Sequence, residues 1–299
     1  MRLQKVIVAV GIAWLFVVTG SSTLVYGQAA SLTGSSQESS FRLGRDLSLT
    51  VGLDVWPNQW VKSVSAFPSG GSNIGQVSAF GVAFIPNATL TYQRFFLSTS
   101  YMVTPDYHFG KITSLQSINP NGTADPTTAA LFEISSTASR QEGDLTIGYF
   151  PLDWLGVAIG YKGIFQDFDN KFRLIAPVFP SPPFPPGLNN EMSAPTQKVK
   201  FNGLTLGALA SVQIDDRFSL IGNAFGGYLF ISCSPSNRCI PGQPNALYTS
   251  SKLVLRYAPT PQISMTLGYR VQVINIQQDF APNGIDLTHG PIIGVNYRF

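Results

Sequence analysis

The chain closes on Pro291-Ile292-Ile293-Gly294-Val295-Asn296-Tyr297-Arg298-Phe299, and this stretch decides the fold. Successive side chains of a strand point to opposite faces. Pro291, Ile293, Val295, Tyr297 and Phe299 therefore share one face, and Ile292, Gly294, Asn296 and Arg298 the other. One face is wholly apolar and partly aromatic; the other is mostly small or polar. That contrast suits a strand set between lipid and a wet lumen.

Working back along the chain, the same alternation recurs in segments each near the ~9 to 11 residues that a tilted membrane strand needs. They are residues 46–55, 80–92, 95–103, 142–149, 155–164, 204–214, 218–228, 249–257, 263–273 and the closing strand. The connections alternate in length. Residues 93–94, 150–154, 215–217 and 258–262 make short turns, whereas 57–79, 104–141, 165–203, 229–248 and 274–290 are long. An even number of antiparallel strands with both termini inside puts all short turns at the periplasmic rim and all long loops outside.

The last strand resembles that of Gram-negative outer-membrane β-barrel proteins, which commonly ends in Phe, with an aromatic two residues earlier and a Gly further back. Gly294, Tyr297 and Phe299 match, while Ile292 stands where a polar residue is more usual. The resemblance implies an all-β fold, a transmembrane up-and-down antiparallel β-barrel, and the ten alternating segments make it one of ten strands, with eight and twelve as alternatives. It further implies an outer-membrane location, contact with outer-membrane lipid, and recognition by the barrel-assembly machinery through Gly294, Tyr297 and Phe299 as an assembly signal.

The amino terminus agrees. Arg2 and Lys5 precede an apolar run over residues 6–18, followed by small and polar residues. This is the layout of a secretory signal peptide, and the run is shorter than the ~20 residues of a membrane helix. We expect a cleaved signal over residues 1–29, a Ser-rich periplasmic lead over 30–45 and the barrel over 46–299. Losing Arg2 and Lys5 lowers the basic count from 19 to 17 against 16 acidic residues, so no footprint for nucleic acid remains. Charged residues are 12% of the chain, about half the usual ~25%.

Aromatic residues gather near the strand ends, as interface girdles do: Tyr92, Phe95, Tyr149, Tyr297 and Phe299 on the turn side, and Trp56, Tyr101, Tyr161, Phe165, Tyr228 and Tyr269 on the loop side. With the apolar parity outward, the lumen receives Asp46, Asp54, Glu142, Asp144, Lys162, Lys252, Arg256, Arg270 and Arg298. Charges of both signs in a narrow interior should pair. If the 150–154 turn sets Tyr149 opposite Leu155, Lys162 faces Glu142. Closure of the ring should bring Arg298 near Asp46. Pro86 and Pro291 stand against the assignment locally, because each removes a ladder donor and a closed barrel has no free edge.

Ten strands leave a packed or very narrow lumen. The expected function is therefore non-enzymatic: a narrow passive pore for a small solute, or a surface protein presenting loops to a host-surface ligand. Cys233 and Cys239 bracket a short loop segment and read as a disulfide. No cofactor is expected, and no metal site, since His108 and His289 are dispersed. Asp106-Tyr107-His108 and Asp167-Phe168-Asp169 resemble the Asp-x-His and Asp-x-Asp pairs with which the omptin family of outer-membrane proteases activates water, although in the opposite chain order. On strand parity Asp106 and His108 point inward and Asp167 outward. The remaining alternative is a secreted soluble barrel that holds a small apolar ligand. A Pro-rich run over residues 177–186, with Phe179 and Phe184, reads as a stiff spacer or as a docking surface.

Overall fold

The computed structural model describes residues 47–65, 74–117, 129–177, 192–193, 196–234, 245–276 and 284–299. The expected signal peptide and lead, Asp46, Cys239 and residues 178–186 lie outside the described residues.

The strands are β1 (Leu47–Ser65), β2 (Ile74–Tyr92), β3 (Phe95–Val103), β4 (Tyr107–Ser117), β5 (Ala129–Leu152), β6 (Leu155–Pro177), β7 (Met192–Ser193), β8 (Gln197–Gln213), β9 (Phe218–Ser234), β10 (Asn245–Tyr257), β11 (Ile263–Ile276) and β12 (Gly284–Arg298). β3 and β4 pair with successive halves of β5 and form one interrupted stave, while β7 is a two-residue adjunct to β6. Pairing of β1 with β12 and of β5 with β6 completes the ring, an antiparallel barrel of ten staves. No helix among the described residues is long and apolar enough to cross a membrane.

The staves exceed what a bilayer requires. β5 has 24 residues and β6 has 23, against the ~9 to 11 that cross a membrane. Much of what reads in the sequence as long loops is therefore strand. Residues 129–140 and 198–203, for example, belong to β5 and β8. The apolar pattern changes face on the way up. In the turn-side part of β8, Leu204 and Leu206 point outward and are 61% and 67% exposed, while Val199 and Phe201, nearer the loops, point inward and are buried. The backbone keeps its alternation, but the apolar side moves from outside to inside where lipid gives way to water. The upper interior is thus a compact apolar core around Trp60, Tyr107, Phe109, Phe168, Phe201 and Leu229.

Both prolines are accommodated by gaps in the ladder. β1 and β12 pair up to Val55 with Ile293 and resume at Gln59 with His289, and Pro57 and Pro291 sit in the interval. There Trp56 Nε1 donates to the Gly290 carbonyl at 3.2 Å, and Asn58 Nδ2 donates to the Trp56 carbonyl at 2.8 Å. The β2–β3 ladder skips Ile85 and Pro86 in the same way, and Asn87 Nδ2 donates to the Ile85 carbonyl at 3.3 Å. Inward side-chain donors thus serve carbonyls beside each break, which is how a closed barrel tolerates the missing N–H groups.

Three sequence expectations are corrected. Leu155 pairs with Leu152, and Tyr149 with Val157, because Phe150 and Pro151 remain in β5 beside a bulge and only Asp153 and Trp154 turn. Proline lacks a ladder donor, and beyond the bulge the strands pair two residues away from the expected register. Trp56 belongs to no girdle; it is 0% exposed and packs inside with Ile85, Met102, Val254 and Ile292. That packing also accounts for Ile292, which occupies an inward position with apolar neighbours. The third correction concerns the rim motifs. β3 places Phe96 and Met102 inward and Thr104 just after it is buried too, yet past Pro105 it is Tyr107 and Phe109 that are buried, so Asp106 and His108 face outward.

Candidate functional site in the barrel lumen

Halfway up the barrel, the inward residues of five staves meet in one polar layer. β5 supplies Arg140 and Glu142, β6 supplies Lys162 and Gln166, β11 supplies Arg270 and Gln272, and β12 supplies Asp286 and Thr288. β1 adds the indole of Trp60. Alternation explains the sets: residues two or four apart on one strand share its inner face.

Glu142 is the hub. Its Oε1 accepts from Arg140 Nε and Gln272 Nε2, each at 2.7 Å, and its Oε2 lies 2.6 Å from Lys162 Nζ. Arg270 Nη2 lies 3.6 Å from Oε2. Asp286 gathers the far side, accepting from Arg140 Nη1 at 3.0 Å, Trp60 Nε1 at 2.8 Å and Gln166 Nε2 at 2.8 Å. Arg140 Nη1 also donates to Thr288 Oγ1 at 2.9 Å. Charges this deep survive because several hydrogen bonds and opposite charges offset a desolvation cost of several kcal/mol per ion. Aromatic rings flank the cations: the guanidinium of Arg270 lies 4.5 Å from the Trp56 ring centre and that of Arg140 lies 5.3 Å from Trp60.

The structure brings most of the sequence-derived lumen charges into or beneath this layer. Lys162 pairs by register with Asp144 rather than Glu142, and its ammonium reaches both carboxylates, lying 3.0 Å from Asp144 Oδ2. Lys252 lies 2.6 Å from Asp54 Oδ2. Arg256 and Arg298 line the lumen nearer the turns, and Arg298 pairs by register with Thr50. Arg140, Asp286, Gln166 and Gln272 were missed by the sequence reading. Arg140, Gln166 and Asp286 lie in stretches that read as loops, where the periodic signal is weak because the apolar face has changed sides, whereas Gln272 lies in a stretch that reads as strand and is uncharged.

Above the layer, Lys62 lies on the extracellular extension of β1, with Nζ 3.6 Å from the Phe168 ring centre. Burial pushes its ammonium down to about 8, partly offset by Asp286.

The protease-like motifs do not enter the lumen. His108, Asp167 and Asp169 are exposed on the outer face, where His108 pairs by register with Thr137, and Thr137 with Asp169. His108 Nδ1 is 3.4 Å from Thr137 Oγ1, and Asp169 Oδ1 accepts from Thr196 at 2.6 Å. Cys233 sits on β9, and its expected partner Cys239 is outside the described residues. No group of metal-ligating side chains forms among the described residues.

Outside, Leu97, Leu145, Ile147, Ile159, Leu267 and Val295 are all exposed, and Tyr92, Phe95, Tyr297 and Phe299 border them at the turn side. A continuous apolar belt with an aromatic edge is a lipid-facing surface. Among solved structures, the chain is similar to the outer-membrane protease OmpT from Escherichia coli, with 12% identity, a TM-score of 0.52, and coverage of 86% of this chain and 98% of that one. The fold is that of an outer-membrane β-barrel. More distant likenesses are the toluene transporters TbuX of Ralstonia pickettii (9% identity, TM-score 0.34, covering 86% of this chain and 90% of that one) and TodX of Pseudomonas putida (10%, 0.30, 85% and 89%). No protein-family model matches the sequence, and no curated protein matches it either. This barrel shares its architecture with the protease, while its own Asp and His pairs stand on the opposite face from the lumen.

Proposed function

We propose that this outer-membrane barrel is non-conducting and acts at the cell surface, presenting its extracellular hairpins and their connecting loops to a ligand or surface. One observation carries the reading: the Arg140, Glu142 and Asp286 layer spans the lumen and lies directly beneath an apolar core. A passive pore needs a continuous water path, and a buried ion-pair layer beneath an apolar core speaks against one. β5 and β6, about twice the length a membrane needs, are longer than a simple anchor requires, and they carry their extracellular ends well clear of the lipid. The outward, exposed placement of His108, Asp167 and Asp169 favours a non-enzymatic role.

Planar-bilayer recording of the purified barrel tests the proposal. The expected result is silence over a range of voltages; steady unitary conductance would overturn it. In parallel, removal of residues 178–186 should abolish adhesion of expressing cells to a surface that the intact protein binds.

A further inference from the structure

The outer wall changes character where β8 leaves the membrane. The ~9 to 11 residues of a crossing, counted up from Gln213 at the turn-side end of β8, finish beside Leu204. Leu204 pairs with Tyr161 of β6 and Tyr228 of β9, and all three are exposed, so this row marks the loop-side aromatic girdle. Above it, on the same outward face, stand Lys200 and Lys198, both exposed. We infer that these lysines seat the phosphate of one outer-leaflet glycolipid, held at a specific site on the β8–β9 wall.

Both ammonium groups are available to an anion. Lys200 Nζ lies 5.7 Å from the centre of the Phe165 ring, its cross-strand neighbour, which orients the cation without supplying an acceptor. Lys198 stands opposite Asp167 by register, yet the two form no ion pair among the described residues. On the other side, β9 sets Ser232 beside Lys200 and Ser234 beside Lys198, and both serines are exposed. Two cations and two hydroxyls around one spot suit a phosphate, which accepts several charge-assisted hydrogen bonds at once. At the same height, counted from their turn-side ends, β1 and β5 carry only the exposed amides Gln59 and Gln141. Basic side chains at the headgroup level draw anionic lipid, so the charge complementarity is local to β8.

Below the seat, the same two staves leave room for an acyl chain. Ile221, Asn223 and Phe225 line the turn-side cavity of the lumen, so β9 turns Gly222, Ala224 and Gly226 to the lipid. They pair with Ala210, Ala208 and Leu206 of β8. A Cβ at Gly222 or Gly226 would come no closer than 3.5 Å to any atom beyond its chain neighbours, so internal packing does not call for glycine at either. Leu204 and Leu206 stand proud beside this hollow. A chain lying in it packs against both leucines while its headgroup phosphate meets the lysines, and close packing of this kind is what distinguishes a bound lipid from bulk lipid.

Native mass spectrometry of the refolded barrel tests this, with lipid A as the probe and fully dephosphorylated lipid A as the control. One lipid A should bind saturably, at least about tenfold more tightly than the control. Lys198→Gln/Lys200→Gln should remove about tenfold of that affinity. Lys111→Gln, which alters an exposed lysine already paired with Glu133, should change nothing. Gly226→Leu fills the hollow in open space and should weaken binding severalfold in a barrel that still refolds. Equal binding of the two lipids, unchanged affinity in the double lysine variant, or an equal loss in Lys111→Gln would each overturn the phosphate seat. Unchanged affinity in Gly226→Leu would overturn the acyl groove. Displacement of lipid A by inorganic phosphate at equal concentration would overturn a lipid as the occupant. Neither conductance nor removal of residues 178–186 reports on this wall, so the site stands or falls separately from the surface role.

Discussion

Arg140 and Asp286 reach each other from strands that are not neighbours: Nη1 of one lies 3.0 Å from Oδ1 of the other, joining β5 to β12 through the lumen. Both side chains are almost wholly buried, at 1% and 2% exposure. Removing one partner of such a pair leaves a charge without compensation. Arg140→Ala should therefore cost about 3 to 5 kcal/mol in urea unfolding of the micelle-embedded barrel. Arg140→Met combined with Asp286→Leu should recover part of that loss, since a matched apolar pair removes both desolvation costs. A loss under about 1 kcal/mol for Arg140→Ala would rank the contact with exposed ion pairs.

Gly294 belongs to the terminal pattern that resembles an assembly signal, and the structure gives it a second role. A Cβ at this position would meet Asp54 Oδ1, and would lie 2.6 Å from Thr266 Oγ1. Tyr297 and Phe299 face outward instead, stacked edge-on with ring centres 4.7 Å apart. Gly294→Ala should cost about 1 to 3 kcal/mol by overpacking, and should do so on spontaneous refolding into detergent without any assembly factor. Wild-type stability of the refolded variant would refute the packing role.

How far the sequence could be read follows from what surrounds each stretch. In the membrane half, lipid demands an apolar outside at every strand, and period two is plain in Ile263, Met265, Leu267 and Tyr269. The ten staves and the short turns were legible there. Above the membrane, water lies outside and the core inside, so in β8 the apolar positions pass from Leu204 and Leu206 to Phe201 and Val199. A sequence scan meets this inversion as a broken pattern and reads loop. The Arg140 layer sits near that crossing, which is why its hub residue Glu142 was found at a strand end while Arg140 and Asp286 were not. Pro105 and Pro151 shift phase and register locally, and hydrophobic periodicity carries no signal for either.

The belt itself makes a direct prediction. Leu267 points outward, is 59% exposed, and lies between Leu255 and Ile293 on the neighbouring strands. Leu267→Arg should destabilise the refolded barrel by about 2 to 4 kcal/mol if this is the bilayer midplane. Thr89→Arg, directed into the roomy turn-side cavity, should be better tolerated. Equal losses would contradict the assignment of inside and outside.

Lys62 supplies a pH test of the upper core. It lies well beyond the first 9 to 11 residues of β1, the length that spans a membrane, and burial lowers its ammonium from 10.5 to about 8. Between those values the unfolded chain holds a proton that the folded protein has released. Unfolding free energy must therefore rise with pH across that window, and below about 8 the folded state carries the full cost of holding a partly buried ammonium. Lys62→Met removes the titrating group. The variant should be more stable than the parent at pH 7, and its advantage should shrink steadily as pH climbs toward 10.5. Asp286 and the Phe168 ring oppose part of this cost by favouring the charged form, so the advantage should be smaller than a lone buried lysine would give. Urea unfolding at several pH values measures the difference directly, and a difference independent of pH would mean that Lys62 keeps an ordinary, well-solvated ammonium.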